Sequence, residues 1–194
     1  MVKPPCQPSH YLLLMSNKTR ERILTATLAL FNEKGLSQTP TRVITQHVDI
    51  SQGHLTYYFP KRTDILDALY RHYQDQLVVI LATPTENSGK YEFFAWLDAL
   101  LEINYTFRFL FLDFAQVMRE SPTFKADYLS LRHLRKQRFR EFMQVLSPNT
   151  NSELVYQQVE LILEFGMLYE VMEGKVEKKE LMAKLKKNIK GLFL

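Results

Sequence analysis

The sequence predicts an all-α protein in which a small N-terminal helical domain is joined through a long fourth helix to a larger helical C-terminal domain. Apolar residues recur at helical spacing along most of the 194 residues, and strand-like alternation is almost absent. Glycine is rare, with only six in the chain. With 46% hydrophobic residues, the chain is long enough to bury one or two hydrophobic cores.

The first fifteen residues are expected to lie outside the folded protein. Three prolines interrupt this segment, and Met15 is followed directly by a sequence that leads into the first helix. The apolar run at 11–15 is shorter than the roughly 7 to 15 residues of a signal-peptide core. We interpret residues 1–15 as a disordered or artefactual extension with Met15 as a candidate translation start. An arm that contacts DNA is the alternative.

The first and fourth helices frame the N-terminal domain. Between residues 18 and 34, Ile23 and Phe31 fall on the same side of a first helix, and Gly35 suits its C-terminal cap. The fourth helix is predicted over residues 62–81, with an acidic residue in its first turn that favours the helix dipole.

Between them, two short helices are separated by a tight turn. The second helix can begin with Thr39 as N-cap and Pro40 in its first turn. The third has Ser51 as N-cap and directs only Leu55 and Phe59 inward, at i and i+4. Its other side chains are mostly hydrogen-bonding groups. This pattern suits a helix whose N-terminal turn enters the major groove of DNA.

The C-terminal half is predicted to contain five further helices. The segment 82–90 is the clearest loop in the chain and marks the domain boundary. Breaks are expected at Ser121 and Pro122, at 147–149 and at Gly174. The predicted helices cover residues 91–105, 107–120, 123–146, 152–172 and 177–192.

From about Lys18 to Leu69 the chain resembles the TetR/AcrR family of transcriptional regulators. The resemblance rests on TRERILTATLALFNEKG, TRVI, ISQGHL and YYFPKR, in that order. The chain has Asp49, Thr56 and Lys61 where the family usually has Gly, Tyr and Ser. The resemblance implies a helix-turn-helix DNA-binding domain at residues 16–62 and a C-terminal effector-binding and dimerisation domain at residues 63–194.

The resemblance also implies which residues contact DNA. Gln52 is the best candidate for direct readout, because an amide can pair bidentately with adenine. Gly53 would let the helix approach the bases closely. The expected contacts are Thr41, Arg42, Ser51, Gln52, Gly53, His54, Thr56, Tyr57, Tyr58, Lys61 and Arg62. The competing interpretation is that the tyrosines are core aromatics and the basic residues are solvated charges.

Aromatic residues are concentrated in the middle of the C-terminal half. They favour a site for a flat, lipophilic or aromatic effector, with Asp113 as a polar anchor. The predicted ligand-binding residues are Phe93, Trp96, Leu100, Phe107, Phe111, Asp113, Phe114 and Met118. An ordinary hydrophobic core is the competing interpretation, and Asp113 can equally be exposed or pair with a neighbouring arginine.

The last two helices have opposite charge, the first acidic and the second lysine-rich. We predict that they pack together and pair with their copies in a second subunit, with Gly166 allowing close approach. The predicted dimerisation residues are Val155, Val159, Ile162, Gly166, Tyr169, Met182, Leu185 and Ile189. A lysine-rich helix lying on anionic lipid is the alternative. The basic stretch 131–142 is read as a solvated helix face rather than a second nucleic-acid surface.

Other classes of function lack their signatures. The chain has no HExxH, GxSxG or Walker motif, so an enzyme is not expected. A lone Cys6 fits a reducing cytoplasm, and no apolar run approaches the roughly 18 residues that span a bilayer. No cofactor or metal is expected. The expected partners are an operator in double-stranded DNA, a second copy of the chain and an unknown small effector, with no membrane.

These expectations combine into a cytoplasmic regulator, a repressor released from a pseudo-palindromic operator by its effector. The alternative is a ligand-independent architectural DNA-binding protein whose C-terminal half serves a protein partner. A tightly packed aromatic region without a cavity would favour that alternative.

Overall fold

The computed structural model describes residues 10–82, 89–148, 151–173 and 177–192. These ranges form ten α-helices and no β-strand, which confirms the predicted all-α class. The helices are α1 (His10–Lys34), α2 (Thr41–Val48), α3 (Gln52–Tyr58), α4 (Arg62–Leu81), α5 (Lys90–Thr106), α6 (Phe109–Leu112), α7 (Phe114–Glu120), α8 (Pro122–Leu146), α9 (Ser152–Glu173) and α10 (Lys178–Gly191).

The chain divides into two compact units, one ending at Leu69 and the other beginning at Tyr70. The division falls inside α4, beyond the predicted boundary at residues 62 and 63. Because α1 begins at His10, the last part of the predicted extension 1–15 is helical, while residues 1–9 lie outside the described ranges. The predicted breaks at Asn149 and Gly174, and most of the predicted loop 82–90, also lie outside them.

The first unit is built around one apolar core. Its fully buried side chains include Ile23, Phe31, Ile44, Leu55 and Ile65. α1 packs against α2, and α2 packs against α3. The inward placement of Leu55 on so short a helix confirms the spacing read from the sequence.

The link between α1 and α2 differs in detail from the prediction. Gly35 ends α1 with a positive φ of 77°, as expected of a C-terminal cap, and its N–H donates to the Phe31 carbonyl. Thr39 is not the N-cap of α2, because that position is held by Pro40. The buried Thr39 hydroxyl instead donates to the Gly35 carbonyl at 2.8 Å. The side chain thus stabilises the link rather than the helix start.

In the second unit α9 is the central helix, packing against α5, α6, α8 and α10. Its Tyr156, Val159, Leu163 and Met167 side chains are buried. The single helix predicted over 107–120 is two helices, α6 and α7, which meet at Asp113. Phe109, Leu110 and Phe111 are consecutive and all buried, which one face of a longer straight helix does not allow.

α8 holds the second half of α4 at two points. The Gln74 amide donates to Asp127 at 3.0 Å, and the Arg138 guanidinium donates to the Leu81 carbonyl at 2.8 Å. The second bond satisfies a carbonyl at the C-terminus of α4 that has no partner within the helix.

Candidate nucleic-acid interface

The exposed face of α3 carries the residues predicted to read DNA. Ser51 is the N-cap, and its hydroxyl accepts from the His54 N–H at 3.1 Å, which confirms the predicted helix start. The exposed residues of this segment are Ser51, Gln52, Gly53, His54, Thr56 and Tyr57. Because Leu55 is buried, the helix is fixed to its core by one side and presents the other to solvent.

The turn before α3 depends on an unusual backbone conformation. Asp49 lies in the left-handed region, at φ 55° and ψ 58°, and ends α2. It is the one non-glycine residue with a positive φ among the described residues. Asp tolerates this region better than most residues, although Gly does so without steric cost. The turn that positions α3 therefore forms with Asp49 in place of the usual glycine.

Gly53 has no role in packing. A Cβ built at this position would meet nothing closer than the Ser51 hydroxyl oxygen at 4.0 Å. Glycine within a helix costs roughly 0.5–1 kcal/mol relative to alanine. No packing contact within the unit therefore requires a glycine at this position.

Some side chains around Gly53 have partners within the chain, and others have hydrogen-bonding groups that are open to solvent. The Thr56 hydroxyl donates to the Gln52 carbonyl at 2.9 Å. The Tyr58 ring is half-buried and contacts His54, at 5.4 Å between ring centroids, and Tyr57, at 5.0 Å. Tyr57 is 76% exposed, so it is not the core aromatic of the competing interpretation. The Gln52 amide is exposed and has no hydrogen bond to a described residue.

The basic residues beside α3 fall into two groups. Arg42 and Lys61 are exposed. Arg62 is half-buried, and its guanidinium donates to the Leu36 carbonyl at 2.7 Å, so it braces the link between α1 and α2 as well as carrying charge. The half-buried Thr41 is the first residue of α2. The site therefore combines an exposed polar helix with flanking cations.

The predicted ligand-binding residues belong to separate aromatic clusters rather than to one pocket. Phe93 and Trp96 pack with Phe142, at 5.4 Å between ring centroids in each case. Phe107 and Phe111 instead pack edge-on against Tyr73, at 5.7 and 6.1 Å. All six of these rings are buried, and so is Leu100.

The remaining three predicted ligand residues lie around α7. Phe114 packs edge-on against Tyr128 at 5.2 Å between ring centroids. Met118 is half-buried. Asp113 is half-buried at the junction of α6 and α7, where its carbonyl accepts from the Gln116 N–H at 2.8 Å. Its backbone role is to begin α7.

A small cavity lies beside the Tyr73 cluster. Its volume is about 10 Å³, roughly the space of one water molecule. Tyr70, Tyr73, Leu77, Phe111, Phe124, Tyr128, Leu131, Arg132 and Arg135 line it. Of the predicted ligand residues, only Phe111 is in this lining.

A buried ionic network behind this cavity was not foreseen from the sequence. Arg135 is 4% exposed and donates to Glu164 and, at 3.4 Å, to Glu160. Arg132 makes a bidentate pair with Glu160, at 2.7 and 2.6 Å. The Tyr128 hydroxyl donates to Glu164 at 2.6 Å. Two arginines and two glutamates thus balance each other inside the unit.

The network shifts the pKa of its members in the expected directions. Burial opposes ionisation of Glu160, but hydrogen bonds from Arg132 and Tyr156 and the charge of Arg135 outweigh it and hold the pKa of that carboxyl below its usual value. Burial raises the pKa of Tyr156 to about 12. Glu160, Arg132 and Arg135 therefore keep their charges near neutral pH.

This network corrects the interpretation of the basic stretch 131–142. Its cations are paired with acids of the same chain rather than merely solvated. Lys136 and Arg140 pair with Glu153 at 2.5 and 2.6 Å, as Arg132 and Arg135 pair with Glu160 and Glu164. Most of the acidic side of α9 therefore faces α8, whereas the sequence had assigned it to the lysine-rich helix.

The lysine-rich helix α10 does pack against α9, as predicted. Among the described residues, Glu170 of α9 pairs with Lys184 of α10 at 2.5 Å. Lys178 and Lys186 bind Glu102 and Asp98 on α5, at 2.8 and 3.0 Å. With these lysines engaged inside the subunit, a lipid-bound α10 is less favoured.

The structure corrects the predicted dimerisation stripe. Val159, Met182, Leu185 and Ile189 are buried inside the subunit, because α10 covers that side of α9. A Cβ on Gly166 would lie 2.7 Å from the Leu185 side chain, so this glycine allows α10 of the same chain to approach. The other predicted residues, Val155 and Ile162, are half-buried at the edge, and Tyr169 is exposed.

The exposed apolar face of α9 is displaced by one residue from the predicted stripe. We call it the α9 stripe, and its members are the exposed Leu154, Leu161, Phe165 and Met172 together with the half-buried Leu168. With Gln158, these positions follow a 4, 3, 4, 3, 4 spacing, the pattern that pairs helices. Leu161 is 59% exposed. Hydrophobic periodicity could have found this stripe, had the two neighbouring registers been compared.

Two negative findings apply to the described residues only. No helix there is long and apolar enough to cross a membrane. No group of three or more His, Cys, Asp and Glu side chains there could hold a metal ion.

Solved structures with a similar fold cover most of the chain. A TetR-family transcriptional regulator from Marinobacter aquaeolei VT8 is 21% identical, with a TM-score of 0.77 over 90% of this chain and 87% of that one. A transcriptional regulator from Aquifex aeolicus VF5 is 22% identical, with a TM-score of 0.65 over 90% of this chain and 99% of that one. At these identities the likeness shows the fold alone.

Curated relatives match over a shorter stretch. The "Probable HTH-type transcriptional regulator YttP" of Bacillus subtilis (strain 168) is 29% identical over 73 residues, which are 38% of this chain and 35% of that protein. The "HTH-type transcriptional regulator BetI" of Proteus mirabilis (strain HI4320) is 32% identical over 63 residues, 32% of each. The chain thus matches about a third of the length of these relatives.

Family models match both units. The model described as "Bacterial regulatory proteins, tetR family" matches residues 23–69, and the model described as "Bacterial transcriptional repressor" matches residues 72–186. The second alone covers more than half of the chain. The protein therefore belongs to the TetR family of transcriptional regulators, which bind DNA and are not enzymes.

Proposed function

We propose that the protein is a homodimeric transcriptional repressor that reads a pseudo-palindromic operator with α3 and is released from it by a small effector. The observation that carries the DNA-reading part is Gly53, a helical glycine that the fold does not need, set between exposed Gln52 and His54. A bare backbone at this point lets the helix lie close to the base edges.

The contacts divide by role. Gln52 reads a base edge, since its amide offers a donor and an acceptor that match adenine in the major groove. Tyr57, Arg42 and Lys61 bind phosphates and fix the position of α3 without specifying sequence. Arg62 contributes charge from its place beside the Leu36 carbonyl.

A second copy supplies the other half of the readout. We assign the interface to the α9 stripe instead of the residues first predicted, because the stripe is the exposed apolar face at helix-pairing spacing. Two copies related by a two-fold axis would place their α3 helices in successive major grooves, about 34–36 Å apart for simple half-sites.

Two further observations support the effector and the sign of regulation. The description of the second family model as a repressor supports repression, and the aromatic content of the second unit supports an apolar effector. An effector bound there would reach the DNA-binding unit through α4, the helix that belongs to both units. To derepress, it must bind better to the form that does not fit the operator.

One observation favours a second candidate function. The cavity in the second unit holds only about 10 Å³, and the predicted aromatic residues pack against one another. A ligand-independent architectural DNA-binding protein of the same fold, whose C-terminal half serves a protein partner, would need no larger space.

Selection of DNA from a random library tests the proposal. The wild-type protein should enrich a two-fold symmetric motif, and binding to it should weaken steeply as salt concentration rises. Sedimentation at micromolar concentration should give a dimer. An absence of any enriched motif, or a monomer that binds a single half-site with full affinity, would contradict the proposal.

A further inference from the structure

Thr56 lies on the exposed face of α3 but turns its hydroxyl back toward the helix. The hydroxyl donates to the Gln52 carbonyl at 2.9 Å, four residues earlier in the chain. A threonine held in this way within a helix has few χ1 rotamers left. Because the hydroxyl is bound to the backbone, the methyl group is the part of this exposed side chain that an outside partner meets. Thr56 therefore presents an apolar group on a mostly polar helix face.

Thr56 is a neighbour of the two α3 residues that come closest to DNA in the proposed function. It follows Gln52 by four residues and Gly53 by three, which places the three on one face of the helix. A helical side chain leans over the preceding turn, so the side chain of Thr56 leans toward Gly53. A Cβ at Gly53 would meet only the Ser51 hydroxyl oxygen, at 4.0 Å. The space over Gly53 and beside Thr56 is therefore open, and we call it the Gly53–Thr56 notch.

The 5-methyl group of thymine is the base-edge group that matches this notch. In the major groove it is the apolar member of a set of hydrogen-bond donors and acceptors. Contact between two methyl groups removes apolar surface from water, which is favourable. The polar base edges of guanine, adenine and cytosine gain no such energy from a methyl partner. The chemistry of the notch therefore favours thymine at this position.

The Thr56 hydroxyl offers a second way to read a base. Donation to a base acceptor would first break the bond to the Gln52 carbonyl. Acceptance from an amino group of adenine or cytosine would leave that bond in place, because a hydroxyl oxygen has two lone pairs. A serine hydroxyl can do the same, whereas a serine has no methyl group. Substitution by serine therefore separates the two kinds of contact.

We propose that Thr56 determines operator specificity by placing its methyl group against the 5-methyl group of a thymine that enters the Gly53–Thr56 notch. This inference rests on the proposed function, in which α3 reads an operator, and it names a base in that operator. The contact is particular to this chain, because the family usually has Tyr at this position. Four residues of helix rise about 6 Å, and base pairs are stacked about 3.4 Å apart. The thymine therefore lies one or two base pairs from the adenine that Gln52 reads.

Deoxyuridine in place of thymine tests the contact at the level of one methyl group. The operator is first obtained by selection from a random library, and each conserved thymine of the half-site is then replaced by deoxyuridine in turn. This change removes the 5-methyl group and keeps the base pair with adenine. At one position, the wild-type affinity measured by fluorescence anisotropy should fall about 4-fold for each half-site, the equilibrium equivalent of burying one methyl group.

Two variants of Thr56 locate the methyl group on the protein. Thr56→Ser keeps the hydroxyl and removes the methyl group, so it should bind the thymine and deoxyuridine operators with equal affinity. Thr56→Val keeps a methyl group and removes the hydroxyl, so it should still prefer thymine. The ratio of the two affinities within one protein does not depend on the folded fraction.

Thr106 supplies the matched control. It is exposed on α5, and its hydroxyl donates to the Glu102 carbonyl at 2.9 Å, which is the same i to i−4 bond that Thr56 makes. Thr106→Ser and Thr106→Val should both keep the wild-type affinities for the thymine and deoxyuridine operators.

The inference is overturned if the wild type binds every deoxyuridine operator as tightly as the thymine operator, or if Thr56→Ser retains the preference for thymine. It is also overturned if the sensitive thymine lies more than two base pairs from the adenine whose preference is lost in Gln52→Ala. A symmetric selected motif together with any of these results contradicts this inference alone. If no motif is enriched, the proposed function fails, and this inference fails with it.

Discussion

Gly53→Ala separates folding from DNA recognition more cleanly than any other substitution in α3. The new methyl group would meet nothing closer than the Ser51 hydroxyl oxygen at 4.0 Å, so the first unit has room for it. Alanine also restricts the unfolded chain and favours the helix. The free energy of unfolding should therefore stay the same or rise by about 0.5–1 kcal/mol.

Operator binding should respond in the opposite direction. A methyl group on the face of α3 that approaches the groove holds the helix away from the base edges and lengthens the contacts of Gln52. Loss of one good bidentate contact costs about 1–3 kcal/mol, so operator affinity should fall roughly 5- to 160-fold. Affinity for a scrambled duplex depends on phosphate contacts and should change little.

Fluorescence anisotropy with the selected operator and a scrambled duplex measures both affinities at fixed salt, and urea unfolding measures stability. Gly191→Ala is the matched control, because a Cβ there meets nothing within 4 Å and the residue lies at the end of α10. If Gly53→Ala binds the operator as tightly as the wild type, Gly53 does not face the groove and the assignment of the α3 surface is wrong.

Four further predictions follow from other parts of the structure. Asp49→Gly should raise the free energy of unfolding by about 1 kcal/mol in urea titrations, because the residue has a φ of 55°, whereas Asp49→Ala should not. Arg135→Met should lower the free energy of unfolding by about 3–5 kcal/mol in urea titrations, because it leaves Glu160 and Glu164 buried without their shared cation. Adding Glu164→Leu to Arg135→Met should recover part of that loss. Leu161→Glu should convert the dimer to monomer in sedimentation, while Leu134→Glu, at a leucine on α8 that is also at least half exposed, should leave it dimeric. Folding lowers the pKa of Glu160, so its ionised carboxylate contributes fully to the free energy of unfolding above the unfolded pKa of about 4.3. That contribution is lost as the pH falls through the lower folded pKa. The free energy of unfolding should therefore fall less between pH 5 and pH 3 in Glu160→Gln than in the wild type.

The DNA-binding unit was predictable because its signals are local. Ser51, Leu55 and Phe59 lie within nine residues, and capping and i, i+4 spacing act over that distance. Arg62 shows where local reasoning ends. Its partner is the Leu36 carbonyl, 26 residues away, and sequence periodicity carries no information about that pairing.

The second unit was harder to predict because its helices are apolar on more than one side. In α9 the stripe through Val155 and Val159 and the exposed stripe through Leu154 and Leu161 differ by one residue, and both repeat at helical spacing. Only the position of α10 decides which one faces solvent. Likewise, the charges of α8 and α9 are spaced as on any solvated helix, and their burial depends on how the two helices pack.

The two hydrogen bonds from α8 to α4 limit the ways in which α4 can move within the second unit. Gln74 and Leu81 are separated by seven residues, about 10 Å along the helix, and each is bound to a different part of α8. Rotation of α4 about its own axis would break at least one bond, whereas translation together with α8 would keep both. Any signal that leaves the second unit along α4 without breaking these bonds is therefore a displacement of the α4–α8 pair as one rigid piece, and its size is set by how far α8 itself is moved.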